Sequence, residues 1–512
     1  MTHVVTCEDL LNRVQQLAPV LHAHADQGER ERHLMDPVVE ALQDAGLYHM
    51  LVPRTLGGLQ VDPLTLYQVV EAVARVEGST GWCLFINGCA PISAAFLRDE
   101  TAEAIYGHGA RTIMAGSVFP YGRAVPQTGG YRISGRWAYA SGCWHSTWFL
   151  AFCQCYVDGA MAPQTTPTGA PEVLVVHVPR AQIQILDTWD VSGLAATGSH
   201  DVVIEEVFVP DAFVWPLVAQ APRGAHFGDA LYRFPFAGFF SWPMAAVALG
   251  IAQGAIDEIT HVALHKTPRQ VTGTLREQPL FQMQLAQAVA LVRSARAWLH
   301  EVITTVWAQT VRGEAVAVAE RAAFLLAATN ATRSAAAAVE LAYTAGEGSA
   351  NYRRSPLQRQ LRDIHAVTQH VSTAPKQYVA SGRMLLGLPL TTRRCSCKPA
   401  MEPAHLAWQS AMDAASHGDV VAWRSCGGGA CGTCPTLLVL PGGWSALVCP
   451  ENRWFPTRGS GALIPRKTFA RIRSKNAVGM LWHTKTCTEE CFGQARRRPM
   501  GLQGHDQAYG FG

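Results

Sequence analysis

Three groups of side chains in this sequence have types and spacings suited to chemistry. The run Gly129–Trp148, GGYRISGRWAYASGCWHSTW, opens on a Gly-Gly turn, alternates through Tyr131, Ile133, Trp137 and Tyr139, and then reaches Ser141, Gly142 and His145. A strand of this kind delivers aromatic rings, a hydroxyl and an imidazole to one place; the same pattern also describes a half-buried hairpin whose aromatics are core. A further imidazole, His370, follows His365 by five positions, so the two do not share a helix face and a paired metal site is disfavoured. Cys426, Cys431 and Cys434 have the C-x4-C-x2-C spacing of thiolates that wrap a two-iron cluster, but Cys449 is too near and Cys487 and Cys491 are too far to complete the set.

Composition bounds what these groups can serve. A chain of 512 residues that is 48% hydrophobic can bury large cores in two or more domains. Its formal charge of +3 hides a division: residues 1–390 carry 27 Lys and Arg against 32 Asp and Glu, and residues 391–512 carry 15 against 7. The first part has no basic patch, so a small molecule is expected as partner and nucleic acid is not. Eight of the 14 cysteines follow Leu390, and the other six (Cys7, Cys83, Cys89, Cys143, Cys153, Cys155) form no disulfide framework, which fits a reducing compartment. The start, MTHVVTCEDLLNR, lacks a cationic segment followed by an apolar run, and no 18-residue apolar stretch follows. A cytoplasmic protein without a membrane segment is the expectation.

The elements that must position the chemistry read as follows. Leu10, Leu11, Val14, Leu17 and Leu21 recur at helical spacing behind a cap at Thr6 with Asp9 as its capping-box partner, and Pro37 opens a second helix that Gly46 closes. Thr65 to Val76 and Gly81 to Leu97 continue the helical pattern, the latter nearly all apolar. Near Thr112 the period shortens to that of strands: IMAGSVFP, the Gly129–Trp148 run, Trp148–Tyr156, Val173–Pro179 and Asp201–Pro210 are β-branched or aromatic and separated by Gly and Pro turns. Ala245–His261, Arg276–Val311 and Glu314–Ala345 are rich in strong helix formers, and a fourth helix is expected from Gln358 to about Leu386. The domains are therefore 1–110, helical; 111–235, β-barrel-like; 236–390, a four-helix bundle; and 391–512, an irregular or disordered extension. That extension abounds in Arg, Cys, Trp, Gly and Pro without periodicity, like a frame-shifted translation or a poorly folding tail.

The order helices, strands, bundle, with GSTGW at Gly78–Trp82, the strand of Trp137, TWDVSGLAATGSHDVVIEEVFVP at Thr188–Pro210 and SPLQRQLRDIHAVTQH at Ser355–His370, resembles the acyl-CoA dehydrogenase superfamily over about Asp9 to Leu386. The resemblance implies an α+β fold of that type and a flavin, FAD or FMN. Ser117, Phe119, Trp137, Ser141 and Gly142 then match positions beside the isoalloxazine, where a flat apolar wall and hydrogen-bonding groups tune a cofactor. Trp189 and the segment Thr197 to Ser199 match a stretch near flavin and substrate, or form a structural corner. Arg276 and Gln282 match residues that meet the cofactor's phosphates across a subunit interface, and Gly346 and Gly348 a turn that admits its tail; a solvated helix face and a plain helix stop are the alternatives.

Typical dehydrogenases of the superfamily carry a carboxylate base shortly after an Arg-Asp pair like Arg362–Asp363, whereas here no Asp or Glu lies between Asp363 and Leu390. His370 stands there instead, and the flavin monooxygenases of this fold, such as the oxygenase components of hydroxyphenylacetate and secosteroid hydroxylases and dibenzothiophene monooxygenase, have a His in a comparable place. The sequence is identified with that branch. It implies hydroxylation of an aromatic or heteroaromatic molecule with O₂ through a flavin C4a-hydroperoxide, with reduced flavin from a separate reductase and a homotetrameric assembly. His370 is expected to exchange a proton near neutrality, Ser141 to serve the flavin, and His145 to orient the substrate. An acyl-CoA dehydrogenase, or an inert flavin-fold protein, are the competing readings.

Overall fold

A computed structural model describes residues 5–388, apart from 108, 110, 168, 218–221, 236 and 237, together with four short strands between 422 and 458. Met1–Glu402 form one compact unit.

The chain opens with α1 (Cys7–Glu31), and the expected capping box is in place: Asp9 N–H donates to Thr6 Oγ1 at 3.1 Å while Thr6 N–H donates to Asp9 Oδ2 at 2.8 Å. α2 (Asp36–Asp44) begins with Pro37 and ends before Gly46, whose φ of 75° lies in the left-handed region. α3 (Pro63–Val76) and α4 (Gly78–Cys89) are separated by a single residue, Glu77. Its buried carboxylate caps α4 by accepting from Ser79 N–H at 3.1 Å and Thr80 N–H at 2.6 Å, so α4 starts three residues earlier than its apolar run suggests. A 3₁₀ turn at Ala90–Phe96 and α5 (Asp99–Tyr106) complete the helical block.

Seven strands follow: β1 (Met114–Gln127), β2 (Gly130–Trp137), β3 (Trp148–Cys155), β4 (Val173–Pro179), β5 (Gln184–Leu186), β6 (Asp201–Pro210) and β7 (Val214–Pro216). They form one sheet in the order β5-β6-β2-β1-β3-β4-β7, antiparallel except for β1 beside β3. The register of β1 slips between Ser117 and Gly122, a bulge that turns Phe119 outward. β2 stops at Trp137, so Ser141, Gly142 and His145 sit in turns beyond it and not on the strand itself.

The helices α6 (Gly238–His265), α7 (Pro279–Val311) and α8 (Val318–Ala345) share one hydrophobic core with α1–α4, while the sheet keeps a second core around Trp137 and Phe149. By length and composition α6 could cross a membrane, yet 89% of its most apolar window is buried inside the protein. The expected fourth helix is two: α9 (Pro356–Thr368) and α10 (Lys376–Leu385). Pro375 lacks an N–H to carry the helix through and restricts the residue before it, so the chain passes Gln369–Pro375 in turns with His370 among them. In the C-terminal part, β8 (Ala422–Arg424), β9 (Thr436–Leu440), β10 (Trp444–Val448) and β11 (Trp454–Arg458) form an antiparallel sheet in the order β11-β10-β9-β8. Cys426, Cys431 and Cys434 lie outside the described residues.

The three blocks are tied together at Asp363, 3% exposed on α9. Its Oδ1 accepts from Leu194 N–H at 2.6 Å, and a Cβ on Gly78 would come within 3.1 Å of its Oδ2, so the carboxyl lies against the start of α4. Gly193 lets the loop cross α9, because a Cβ there would sit 2.1 Å from Arg362 O. Burial, assisted by the Glu77 charge, raises the Asp363 carboxyl to about 7 against the pull of Leu194 N–H, Arg359 and Arg362. The folded carboxyl therefore holds its proton where the unfolded one, near 3.8, has lost it, and stability falls as pH rises between those values. Asp363→Asn keeps an acceptor for Leu194 but cannot ionise. Its stability relative to the parent should improve by up to a few kcal/mol from pH 4 to pH 8 in urea unfolding; a difference constant across that range contradicts the shift.

Candidate active site

Trp82, on the first turns of α4, joins the two residues singled out for chemistry. Its Nε1–H donates to Ser141 Oγ at 3.0 Å, and its ring meets His370 edge-on at 5.8 Å between centroids. The turn that presents Ser141 is built from unusual backbone: Tyr139 has φ 61° and Gly142 φ 71°, with Gly142 N–H donating to Thr197 O at 2.9 Å. Glycine is required at 142, since a Cβ would stand 2.3 Å from Asn87 Oδ1. Behind Ser141 the hydroxyls of Ser199 and Thr197 follow at 2.7 Å each, and Thr197 donates to Leu194 O at 2.8 Å.

The two histidines are held as neutral rings. Asn87 Nδ2 donates to Met114 O at 3.0 Å, which turns its Oδ1 toward His145 Nε2 at 3.2 Å. His145 therefore carries its proton on Nε2 and presents Nδ1 as a buried acceptor without a partner among the described residues. His370 Nδ1 accepts from Ser372 N–H at 3.2 Å, which leaves Nε2–H as its free donor. Burial lowers both imidazoles to about 4, with the His33 charge contributing at His145. This differs from the expectation that His370 titrates near neutrality: the protein interior disfavours the imidazolium, so the ring is neutral there.

The structure gathers Ser141, Gly142, His145, Thr197, Ser199 and His370 around Trp82 and Asn87. Ser117 adjoins them from β1, donating to Ala138 O at 2.5 Å. Trp137 does not serve as an exposed wall. It is 0% exposed, its Nε1–H is spent on Phe152 O, and its ring fills the space a side chain at Gly122 would need, 2.2 Å from a Cβ there. The exposed aromatic rings near the turn are instead Phe119, 43% exposed, Trp144, 50% exposed and stacked on His33 at 5.2 Å, and Tyr139, 71% exposed and edge-on to Trp189 at 6.1 Å. Thr197 and Ser199 are buried behind Ser141 with their hydroxyls occupied.

A second group forms at the far end of the bundle. Gln282 Nε2 donates to Arg276 O at 3.0 Å, Leu275 N–H donates to Lys266 O at 2.8 Å, and Lys266 Nζ reaches Gly346 O at 2.7 Å and Glu347 at 2.9 Å. Arg276 and Gln282 are exposed. Gly346 caps α8 in ordinary helical geometry, φ −69°, and leaves room for Ala350, while the space around Gly348 is open. Sequence reasoning missed Trp82, Asn87 and Lys266 as site residues. Trp82 closes the quoted GSTGW motif and Asn87 is a lone amide in an apolar run, so both left a trace; Lys266 left none.

The donor set fits a planar heteroaromatic group. Ser141 Oγ retains an acceptor position, His145 Nδ1 is an orphaned buried acceptor, His370 Nε2–H is a free donor, and flat rings flank the turn. A seven-stranded sheet between helical blocks, with a Ser-Gly turn facing the bundle, defines the acyl-CoA dehydrogenase fold. The acyl-CoA dehydrogenase N-terminal domain matches residues 8–103 and the C-terminal domain residues 243–375. An indole-3-acetate monooxygenase from Pseudomonas putida is 33% identical over 368 residues, 71% of this chain and 90% of that one. The flavin-dependent monooxygenase oxygenase subunit HsaA of Rhodococcus jostii is 29% identical over 74% of this chain and 99% of its own. The crystal structure of 3-HSA hydroxylase from Rhodococcus sp. RHA1 superposes with a TM-score of 0.68 at 28% identity, covering 76% of this chain and 99% of that chain. The chain belongs to the acyl-CoA dehydrogenase superfamily, in its branch of flavin-dependent monooxygenases, which are oxidoreductases.

Gly142→Ala should lower stability by about 1–2 kcal/mol from the left-handed backbone alone, and further through the clash with Asn87. Thermal unfolding checks this, and an unchanged midpoint would show that the turn relaxes freely.

Proposed function

We propose that the chain is the oxygenase component of a two-component system that hydroxylates an aromatic or heteroaromatic small molecule, receiving reduced FMN or FAD from a separate reductase. The reading is carried by Trp82, whose indole touches both an acceptor, Ser141 Oγ, and the neutral ring of His370, where the sequence supplies no carboxylate base between Asp363 and Leu390. The relatives' names support it, since they describe flavin-dependent oxygenases, one of them acting on indole-3-acetate.

A bound, reduced flavin supplies the two electrons with which O₂ gives one oxygen atom to the substrate and the other to water. Ser141 then accepts a hydrogen bond from the ring edge, and Phe119, Tyr139 and Trp189 enclose it and limit water. His370 donates from Nε2 toward the reacting oxygen, and His145 Nδ1 accepts from a substrate O–H or ring N–H. Arg276, Gln282 and Lys266, beside Gly346 and Gly348, hold the cofactor's phosphate in a neighbouring copy. Exposed Leu385 and Leu386 on and after α10, 75% and 76% accessible, suit burial between copies in the proposed homotetramer. The proposed assembly is cytoplasmic, a reading supported by six cysteines within residues 1–390 that form no disulfide.

The test is to mix the protein with reduced flavin, an aromatic acid such as indole-3-acetate, and ¹⁸O₂. Label in a hydroxylated product supports the reading, whereas flavin bleaching by an acyl-CoA without O₂ supports a dehydrogenase. His370→Ala should cut product per O₂ about 10²-fold with peroxide released instead, while His370→Asn, a neutral donor, retains more. Because His370 stays neutral down to about pH 4–5, the parent's yield should show no inflection from it near pH 6.5; a His370-dependent inflection there would contradict the neutral-donor role.

A further inference from the structure

Trp82, Ser141, Ser199 and Thr197 form one chain of hydrogen bonds whose direction is set at the Leu194 end. The indole Nε1 can only donate, and it donates to Ser141 Oγ at 3.0 Å. The Leu194 carbonyl can only accept, and it takes the Thr197 hydroxyl at 2.8 Å. Each hydroxyl has a single proton. With that of Thr197 spent on Leu194, Ser199 donates to Thr197 at 2.7 Å and Ser141 donates to Ser199 at 2.7 Å. Ser141 Oγ is left facing the site with a lone pair and no proton.

We propose that Thr197 and Ser199 are positioning residues that hold Ser141 as an acceptor, so that the site selects reduced over oxidised flavin. This rests on the flavin reading above. On reduction the flavin N5 changes from a bare acceptor to an N–H donor, so an acceptor beside it matches the reduced ring and repels the oxidised one. Ser141 can donate only if the whole chain reverses, and reversal gives up the bond from Thr197 to Leu194. The Leu194 carbonyl also accepts from Thr197 N–H at 3.1 Å and Trp189 Nε1 at 3.2 Å, so it stays paired and the penalty is a single neutral hydrogen bond. That corresponds to a preference of roughly tenfold.

Both residues are buried and neither needs to touch the cofactor. In Thr197→Val, Ser199 loses its acceptor and is free to donate to Ser141, whose own proton can then turn to the site. In Ser199→Ala, the Ser141 proton is released directly. Each change therefore strengthens binding of oxidised flavin relative to reduced.

The experiment is an anaerobic titration of the full chain with oxidised and with reduced FMN and FAD, giving the ratio of the two Kd values. A redox titration of the bound flavin reads the same ratio as a midpoint potential. The parent should favour the reduced form about tenfold or more, and both variants should bring the ratio down about tenfold. General structural damage would weaken both redox forms alike and leave the ratio in place, and that result counts against the proposal. A parent that binds both forms equally, or variants that keep the parent's ratio, overturn it while the flavin site stands. A parent that binds neither form removes both readings.

Discussion

The buried hydrogen bond from Trp82 to Ser141 is the contact on which the rest of this site depends. It fixes the rotation of α4 against the turn after β2, because an indole N–H removed from water without an acceptor costs about 1–3 kcal/mol. The turn accommodates it at a conformational cost, with Tyr139 and Gly142 both in left-handed backbone and Asn87 packed where a side chain on Gly142 would be. The same indole borders His370, so one side chain from the N-terminal helices sets the spacing between the sheet and the bundle.

Behind that contact lies a junction of charge. Glu77 and Asp363 are both buried at the start of α4, one capping its first N–H groups and the other holding the Leu194 amide. The partial positive charge of a helix N-terminus and the guanidinium of Arg359 offset part of the repulsion between them. The loop that Asp363 anchors is the one that supplies Thr197 and Ser199, so a carboxyl on α9 governs hydroxyls that sit behind the β2 turn.

Chemically, the site is organised by hydrogen-bond polarity and not by titrating groups. Ser141 and His145 offer acceptors, His370 offers a donor, and burial keeps both imidazoles neutral over the physiological range. A cofactor that gains a proton on reduction suits such a site, because the pattern of donors and acceptors on its edge changes with its redox state. The carboxylate that would draw a proton from a carbon acid is absent from residues 364–388, and Asp363 is occupied with the Leu194 amide.

Local rules were enough for much of the architecture. The capping box at Thr6, the Pro37 start and Gly46 stop, the change from helical to strand period near residue 112 and the long bundle helices are written in neighbouring residues, where capping and periodicity act over a few positions. The motifs of the superfamily also singled out Ser141, Gly142 and His370, which the fold brings together around Trp82 and Asn87. Tertiary structure alone decided that Trp137 is core while Phe119, Tyr139 and Trp144 are exposed, because burial depends on which strand crosses which glycine. It alone decided that Trp82 links Ser141 to His370 and that His370 is neutral. These outcomes depend on contacts between residues far apart in the chain, and desolvation and hydrogen-bond direction are properties of the assembled neighbourhood that no local pattern encodes.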